Sequence, residues 1–208
     1  MIKDGLVFFE IFPWNKNFET GNELIDEQHQ KLVHILNKLA AHLANRSDEV
    51  ILNDIFDELA NYADYHFKTE EKIWDEYFED DIWSLEHKDT HGSFMAQVIT
   101  IKNNEARKPL DDVVYDIVSF LSKWLAYHIL DTDKHLAIAV REMKSGVRLD
   151  EAKKLANAEM NGAMKVIVDT VLTMYDTLST RTLDLMREKA LRKQAEEALK
   201  ISEERWKF

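Results

Sequence analysis

Residues 66–91 read HFKTEEKIWDEYFEDDIWSLEHKDTH, and this stretch decides the fold. It opens with His66 and Glu70, four apart, and closes with His87 and His91, four apart. Four residues of α-helix advance about 6 Å and overshoot a full turn by about 40°, so each pair shares a face and can reach one centre. Apolar residues keep the same faces. Over about 48–78, Leu52, Ile55, Leu59, Tyr62, Ile73 and Tyr77 step by threes and fours with His66 and Glu70. Over about 82–104, Phe94, Val98 and Ile101 continue the stripe of His87 and His91. Upstream, about 22–45 carries Ile25, His29, Leu32, Leu36, Leu39 and Leu43. Downstream, a segment that begins after Pro109, with Asp111 and Asp112 near its amino end, carries Val114, Ile117, Leu121, Trp124 and His128. Four such helices of roughly 30–45 Å with short connections predict an all-α, antiparallel up-down-up-down four-helix bundle. Residues 1–21 read as a non-helical arm.

Past Gly146 the character changes, which divides the chain into a bundle over 1–145 and a helical extension over 146–208. The stretch 148–208 has no Pro and a single Gly, Gly162, and reads as one long helix or two. Val168, Val171, Tyr175, Leu178, Thr182 and Leu185 keep a heptad-like spacing, which predicts a coiled-coil-like helix and a parallel homodimer through it. Around 163–175 the apolar face is broader than a seam requires, a sign of burial on more than one side. After about 187 the segment is charged, with Leu191, Ala195 and Ala198 left of the stripe. The last residues carry no cap, and the chain reads as cut before an output module.

Composition narrows the function. Five Gly and two Pro in 208 residues fit long helices, and 45% hydrophobic content supports a core. A formal charge of −12 disfavours nucleic acid and anionic lipid, which need clustered Lys and Arg. The absence of Cys excludes disulfides, iron–sulfur clusters and Cys-ligated zinc. The opening MIKDGLVFFEIFPW is short in apolar residues, broken by Glu10 and without a cleavage site. No apolar stretch approaches the ~18 residues of a membrane span. A cytoplasmic protein without a membrane partner is expected.

Five of the eight histidines lie on the inward stripes. A lone histidine there is more often a satisfied core residue. Burying five unpaired imidazoles, however, costs on the order of 1–3 kcal/mol each, a cost that a metal removes by using the lone pairs. Imidazole and carboxylate without thiolate suit iron, manganese or zinc.

Taken in order, Asp26-Glu27-Gln28-His29, His66-Phe67-x-x-Glu70-Glu71, His87-x-x-x-His91 and His128-x-x-x-x-Asp133 resemble the ligand pattern of hemerythrins and bacteriohemerythrins. Phe12-Pro13-Trp14 and Phe18-Glu19-Thr20-Gly21 look like the opening of the bacterial members, and the resemblance covers about residues 10–140. It implies two iron ions joined by an oxo or hydroxo bridge. His87, His91 and His128 would hold one, His29 and His66 the other, with Glu70 and Asp133 bridging and the second iron open to O2. Trp124, Leu125 and Ile129 would then wall the O2 pocket. Two features depart from simple expectation. The link from Glu71 to Glu86 lacks the Gly-Tyr-Pro often found in relatives. Asp133 lies five after His128, about 140° round an ideal helix, so periodicity alone does not find it.

Other residues read blandly. Glu71 is open between a solvated acid and a residue standing behind a ligand. His34, His42 and His135 read as surface or packing residues, and Asp75 to Asp81 as a solvated face and loop. The run Ala195-Glu196-Glu197-Ala198-Leu199-Lys200-x-Ser202-Glu203-Glu204-Arg205-Trp206 resembles the signalling helix that leads into a PAS domain. The expected function is an O2-binding di-iron sensor that passes O2 or redox state through the C-terminal helix to an output module. O2 storage or transport is the alternative, and a di-iron oxidase or peroxidase the second. Five histidines against two carboxylates favour reversible binding over the Glu-rich oxidase pattern, so no enzyme is expected.

Overall fold

The computed structural model describes residues 2–3, 6–7, 10–45, 49–103, 108–161 and 163–205. Helices α1 (Glu23–Asn45), α2 (Glu49–Phe78), α3 (Ile82–Lys102) and α4 (Leu110–Tyr127) pack in a ring, each against its sequence neighbours and α1 against α4. This is the expected four-helix bundle. Its core is the set of stripes read above, with Ile35, Leu36 and Leu39 meeting Ile55 and Leu59, Phe94 and Val98, and Val114, Ile117 and Leu121.

The arm is non-helical apart from a 3-10 turn at Lys16–Phe18, and it starts with a two-stranded antiparallel pairing of β1 (Ile2–Lys3) and β2 (Leu6–Val7). Two side chains of α1 hold it down. Asn37 pairs with both backbone groups of Phe12, at 2.9 Å each, and buried Asp26 accepts from the Thr20 and Gly21 amides. The link between α2 and α3 makes do without glycine because Asp80 takes the left-handed conformation, φ 58°, which Asp tolerates better than most residues. Asp81 then caps α3 by accepting from the Trp83 amide. The acidic run is therefore only partly a solvated face. Asp75 binds Ser84 and Lys88, and Asp81 binds Lys153 from much later in the chain.

After α4 the helical backbone continues without a break through a π-helical segment, His128–Asp133, into α5 (Lys134–Lys144). Helix α5 ends in a Schellman motif. Gly146 sits at φ 99°, its amide reaches Met143 O, and the Val147 amide reaches Glu142 O. Helix α6 (Leu149–Met160) folds back on α5, burying Ala152, Ala156 and Met160 with Trp74, Phe78 and Ala139.

The extension is two helices, α6 and then α7 (Ala163–Arg205), and α7 lies along α4 and α1. The seam differs from the heptad reading. Leu178 and Leu185 are 64% and 65% exposed, whereas Leu183 is fully buried and Met186 nearly so. Val168, Leu172, Tyr175, Leu183 and Met186 face the bundle, keeping the 3.6-residue period of a straight helix rather than the 3.5 of a supercoil. The apolar stripe that suggested a partner chain is thus largely covered within the chain. Past Arg187, which pairs with Asp112 at the start of α4, the described side chains are exposed.

One stretch, Asp112–Lys144, contains an 18-residue window of mean hydropathy 1.2, apolar and long enough to cross a membrane, contrary to the reading above; 61% of that window is buried inside the protein. Such a composition is also that of a bundle's core helix.

Candidate metal centre

Three of the bundle helices, and the π-helical continuation of the fourth, send polar side chains into the middle of this apolar core. Helix α1 supplies His29, α2 supplies His66 and Glu70, α3 supplies His87 and His91, and the π-helical segment supplies His128 and Asp133. None is more than 2% exposed. Each imidazole turns Nε2 inward. His66, His87, His91 and His128 place it 3.5–3.7 Å from Glu70 Oε2, while His29 stands 3.8 Å from Oε1. Asp133 divides itself in the same way, with Oδ1 at 3.0 Å and 3.2 Å from His87 and His128 and Oδ2 at 3.3 Å from His29. The side chains fall into two adjoining groups fit for a metal ion, Glu70 with His87, His91 and His128, and Glu70 with His29 and His66.

Asp133 arrives by the local distortion that its spacing demanded. In an α-helix a residue five after His128 points away from it. The i→i+5 hydrogen bonding of the π segment widens the turn, and His128 and Asp133 come onto one side. Ile129 and Leu130, between them, remain buried in the apolar core.

The donor set fits a cation. Nε2 of His29 and His66, both Glu70 oxygens and Asp133 Oδ2 are buried without a hydrogen-bond partner. His91 Nε2 and His128 Nε2 lie 3.0 Å apart, two nitrogens at a distance where a single proton or a shared ion must separate the lone pairs. The charges pull in opposite senses. Burial holds His66 down at about 3, only partly offset by Glu70. On His91 burial is outweighed by the nearby Glu70 carboxylate and by the hydrogen bond to Glu71, which lift it to about 9. Glu70 is held well below the usual carboxylate range despite burial, by the imidazoles of His66, His128, His91 and His87 around it.

Two groups stand behind the ligands. Gln28 Oε1 is 3.0 Å from His66 Nδ1, and Glu71 Oε1 is 2.8 Å from His91 Nδ1, so Glu71 is the residue behind a ligand rather than a solvated acid. Gln28 belongs to the opening Asp-Glu-Gln-His run, yet nothing in its spacing distinguished it from an ordinary helix residue. Aromatic rings wall the cluster. Phe67 stacks on His91 at 3.9 Å between centroids and Trp124 on His128 at 4.2 Å, while Trp14 of the arm stands 6.4 Å from His29. Beside them is an apolar cavity of about 10 Å³ lined by Leu32, Ala63, Phe67, Trp124 and Leu125, among others. Ile129 is buried nearby and does not line it. Of the remaining histidines, His34 is exposed, His135 packs 4.5 Å from Trp83, and the His42 side chain lies outside the described residues.

Five imidazoles and two shared carboxylates inside a four-helix bundle define a non-haem metal-binding bundle protein. Sequence comparison narrows the class. The model of the hemerythrin HHE cation binding domain matches residues 20–139. A bacteriohemerythrin of Clostridium acetobutylicum is 31% identical over 129 residues, covering 60% of this chain and 97% of the relative. A hemerythrin-like protein of Naegleria gruberi is 31% identical over 122 residues, covering 59% and 87%. A bacteriohemerythrin of Pseudomonas aeruginosa is 28% identical over 141 residues, covering 67% and 88%. The chain belongs to the hemerythrin family, as a hemerythrin-like, iron-binding domain followed by further helices.

Proposed function

We propose that this chain is a cytoplasmic O2-binding di-iron sensor domain, not an enzyme, and that it passes the state of its iron pair to α7. The observation that carries the reading is Asp133. Its two oxygens face different half-sites, and it sits on the π segment next to Lys134, whose ammonium donates to the Asn17 and Glu19 carbonyls of the arm. The arm in turn meets α7, because Phe12 and Phe18 pack on Tyr175 and the Tyr175 hydroxyl donates to Pro13 O. A cavity of about 390 Å³ between Phe18, Leu130, Met160, Val168 and Tyr175 leaves the π segment room to move against α7.

His87, His91 and His128 would hold one iron, His29 and His66 the other, with Glu70 and Asp133 between them. Iron held there supplies a two-electron, Lewis-acidic centre for O2. The residues around it do the rest. The half-site of His29 and His66 has one imidazole fewer, which leaves a position for a small ligand. Phe67, Trp124 and Leu125 line the apolar cavity beside the cluster and keep it dry. The family match ends at residue 139, so α6 and α7 are additions to the matched domain, and signalling gives them a role that storage does not. Met174, Leu178 and Leu185, exposed on the outer face of α7, are the candidate homodimer face.

The test has two parts. Purified full chain should contain about two Fe, bind O2 reversibly when diferrous and bind azide when diferric. Hydrogen exchange over residues 134–187 should differ between diferrous, O2-bound and diferric protein. One metal per chain, or stoichiometric zinc, would end the di-iron reading. Identical exchange in all three states would end the sensor reading while leaving O2 binding intact.

A further inference from the structure

We propose that Glu71 and Gln28 set the order in which the two irons change oxidation state, Glu71 by favouring ferric iron in the three-histidine half-site. The inference rests on the di-iron reading above. A histidine that presents Nε2 to a metal must carry its proton on Nδ1, so an oxygen facing Nδ1 decides how much electron density the ring passes on. Side-chain oxygens of this kind face His91 and His66, Glu71 Oε1 at 2.8 Å from the first and Gln28 Oε1 at 3.0 Å from the second. By contrast, Nδ1 of His29 and of His128 is buried without a hydrogen-bond partner.

The two partners are nearly the same size and differ in charge, and they serve different half-sites. His91 belongs to the group with His87 and His128, while His66 belongs to the group with His29. A carboxylate draws the Nδ1 proton toward itself, gives the ring partial imidazolate character and stabilises the higher charge on the metal. A neutral amide does this far less. With this pairing, an iron held by His91 would be the first to become ferric and the last to be reduced, and one held by His66 would stay ferrous longer. Geometry keeps the contrast in place. Phe67 lies flat on the His91 ring, with an interplanar angle of 12°, and fixes the direction of its Nδ1. Gln28 is 3% exposed and cannot exchange its contact for water, whereas the Glu71 side chain is 27% exposed and partly screened. Screening holds the expected effect to about tenfold, the low end of what a charge-assisted hydrogen bond is worth.

The experiment is a dithionite titration of the iron-loaded full chain under argon, in which each step adds one electron to one iron. The half-reduced, odd-electron state is followed by EPR, and iron content is measured in every sample. Glu71→Gln should ease reduction of the His91-side iron, a change of about tenfold in that step's equilibrium constant, with the other step unmoved. Gln28→Glu should hinder reduction of the His66-side iron by a similar factor. Both variants should therefore move the population of the half-reduced state in the same direction, and Glu71→Asp should restore the original behaviour. A purely structural role would not give opposite shifts on different steps. Two irons per chain with unchanged steps, or with both steps moving together, would overturn the inference and leave the di-iron reading standing. Fewer than two irons in the unmodified chain would overturn both.

Discussion

The helical stretch 110–144 and the helix α7 at 163–205 lie against each other and meet opposite demands. The first is an interior element that must accept charge. His128 and Asp133 are fully buried on it, one and four residues from fully buried Ile129. It can do so because His128 Nε2 and both Asp133 oxygens face other ligand atoms across the cluster. The second is a surface element that must divide apolar residues between two faces. Leu183 is fully buried against the bundle and Leu185, two residues on, is 65% exposed. Inside, a residue's worth depends on its polar partners. Outside, it depends on the side of the helix it occupies.

The sharpest way to break the comparison is to remove an interior carboxylate. Asp133→Ala or Glu70→Ala should abolish the paired metal site, with iron falling from about two per chain to one or none by elemental analysis. Retention of both irons would show that the shared carboxylates do not hold them together.

A smaller effect tests the surface helix. Leu183→Ala should cost about 2–5 kcal/mol in denaturant unfolding, as for other buried leucines. Leu185→Ala should change stability by about 0.5 kcal/mol or less. Equal costs at the two positions would mean that α7 packs on a different face in solution.

The smallest effect lies where the arm meets α7. Tyr175→Phe removes one hydrogen bond, worth about 0.5–1.5 kcal/mol. Burial raises the Tyr175 phenol from 10.0 to about 12. Above pH 10 the unfolded chain releases this proton and the folded chain keeps it. The stability that Tyr175 contributes is therefore complete below pH 10 and is lost as pH rises towards 12. An alkaline melt should show a smaller loss in Tyr175→Phe than in the natural chain, the remainder coming from Tyr62, Tyr115 and Tyr127, whose phenols are also raised by burial. If both chains melt alike across that window, the phenol is not held in the folded state.

Much of the bundle was legible in the sequence. The segments at about 22–45, 48–78 and 82–104 match α1, α2 and α3 to within a residue or two. Their apolar stripes are continuous, and Pro109 marks the start of the fourth helix, whereas the cap at Asp81 reads from sequence as part of a solvated acidic run. The positions of His29, His66, Glu70, His87, His91 and His128 followed from the same stripes. Asp133 did not, because it depends on a change of helix type that leaves no periodic trace. The face that α7 buries was misread for a related reason. Val168, Val171 and Tyr175 fit both a 3.5 and a 3.6 period, and the two diverge only at Leu178 and Leu183. Partners brought from afar were invisible as well. Lys153 reaches Asp81 across 72 positions and Tyr175 reaches Pro13 across 162.

The π segment also carries a consequence for the length of the chain. Deleting one residue between His128 and Asp133 would let the backbone close an ordinary α-helical ladder, with the two ligands four apart and still on one face. The i→i+5 turn takes up one residue more than an α turn, so the helix beyond it would keep its phase. Leu136 and Ala139 would still meet Trp74 and Phe78, and Lys134 would still reach the arm. The extra residue is thus a local bulge that leaves the two halves of one helix aligned. Deletion of Thr132 should be tolerated far better than deletion of a residue within α4 or α5, after which every later side chain would swing by about 100°. Equal loss of the fold in both would overturn this.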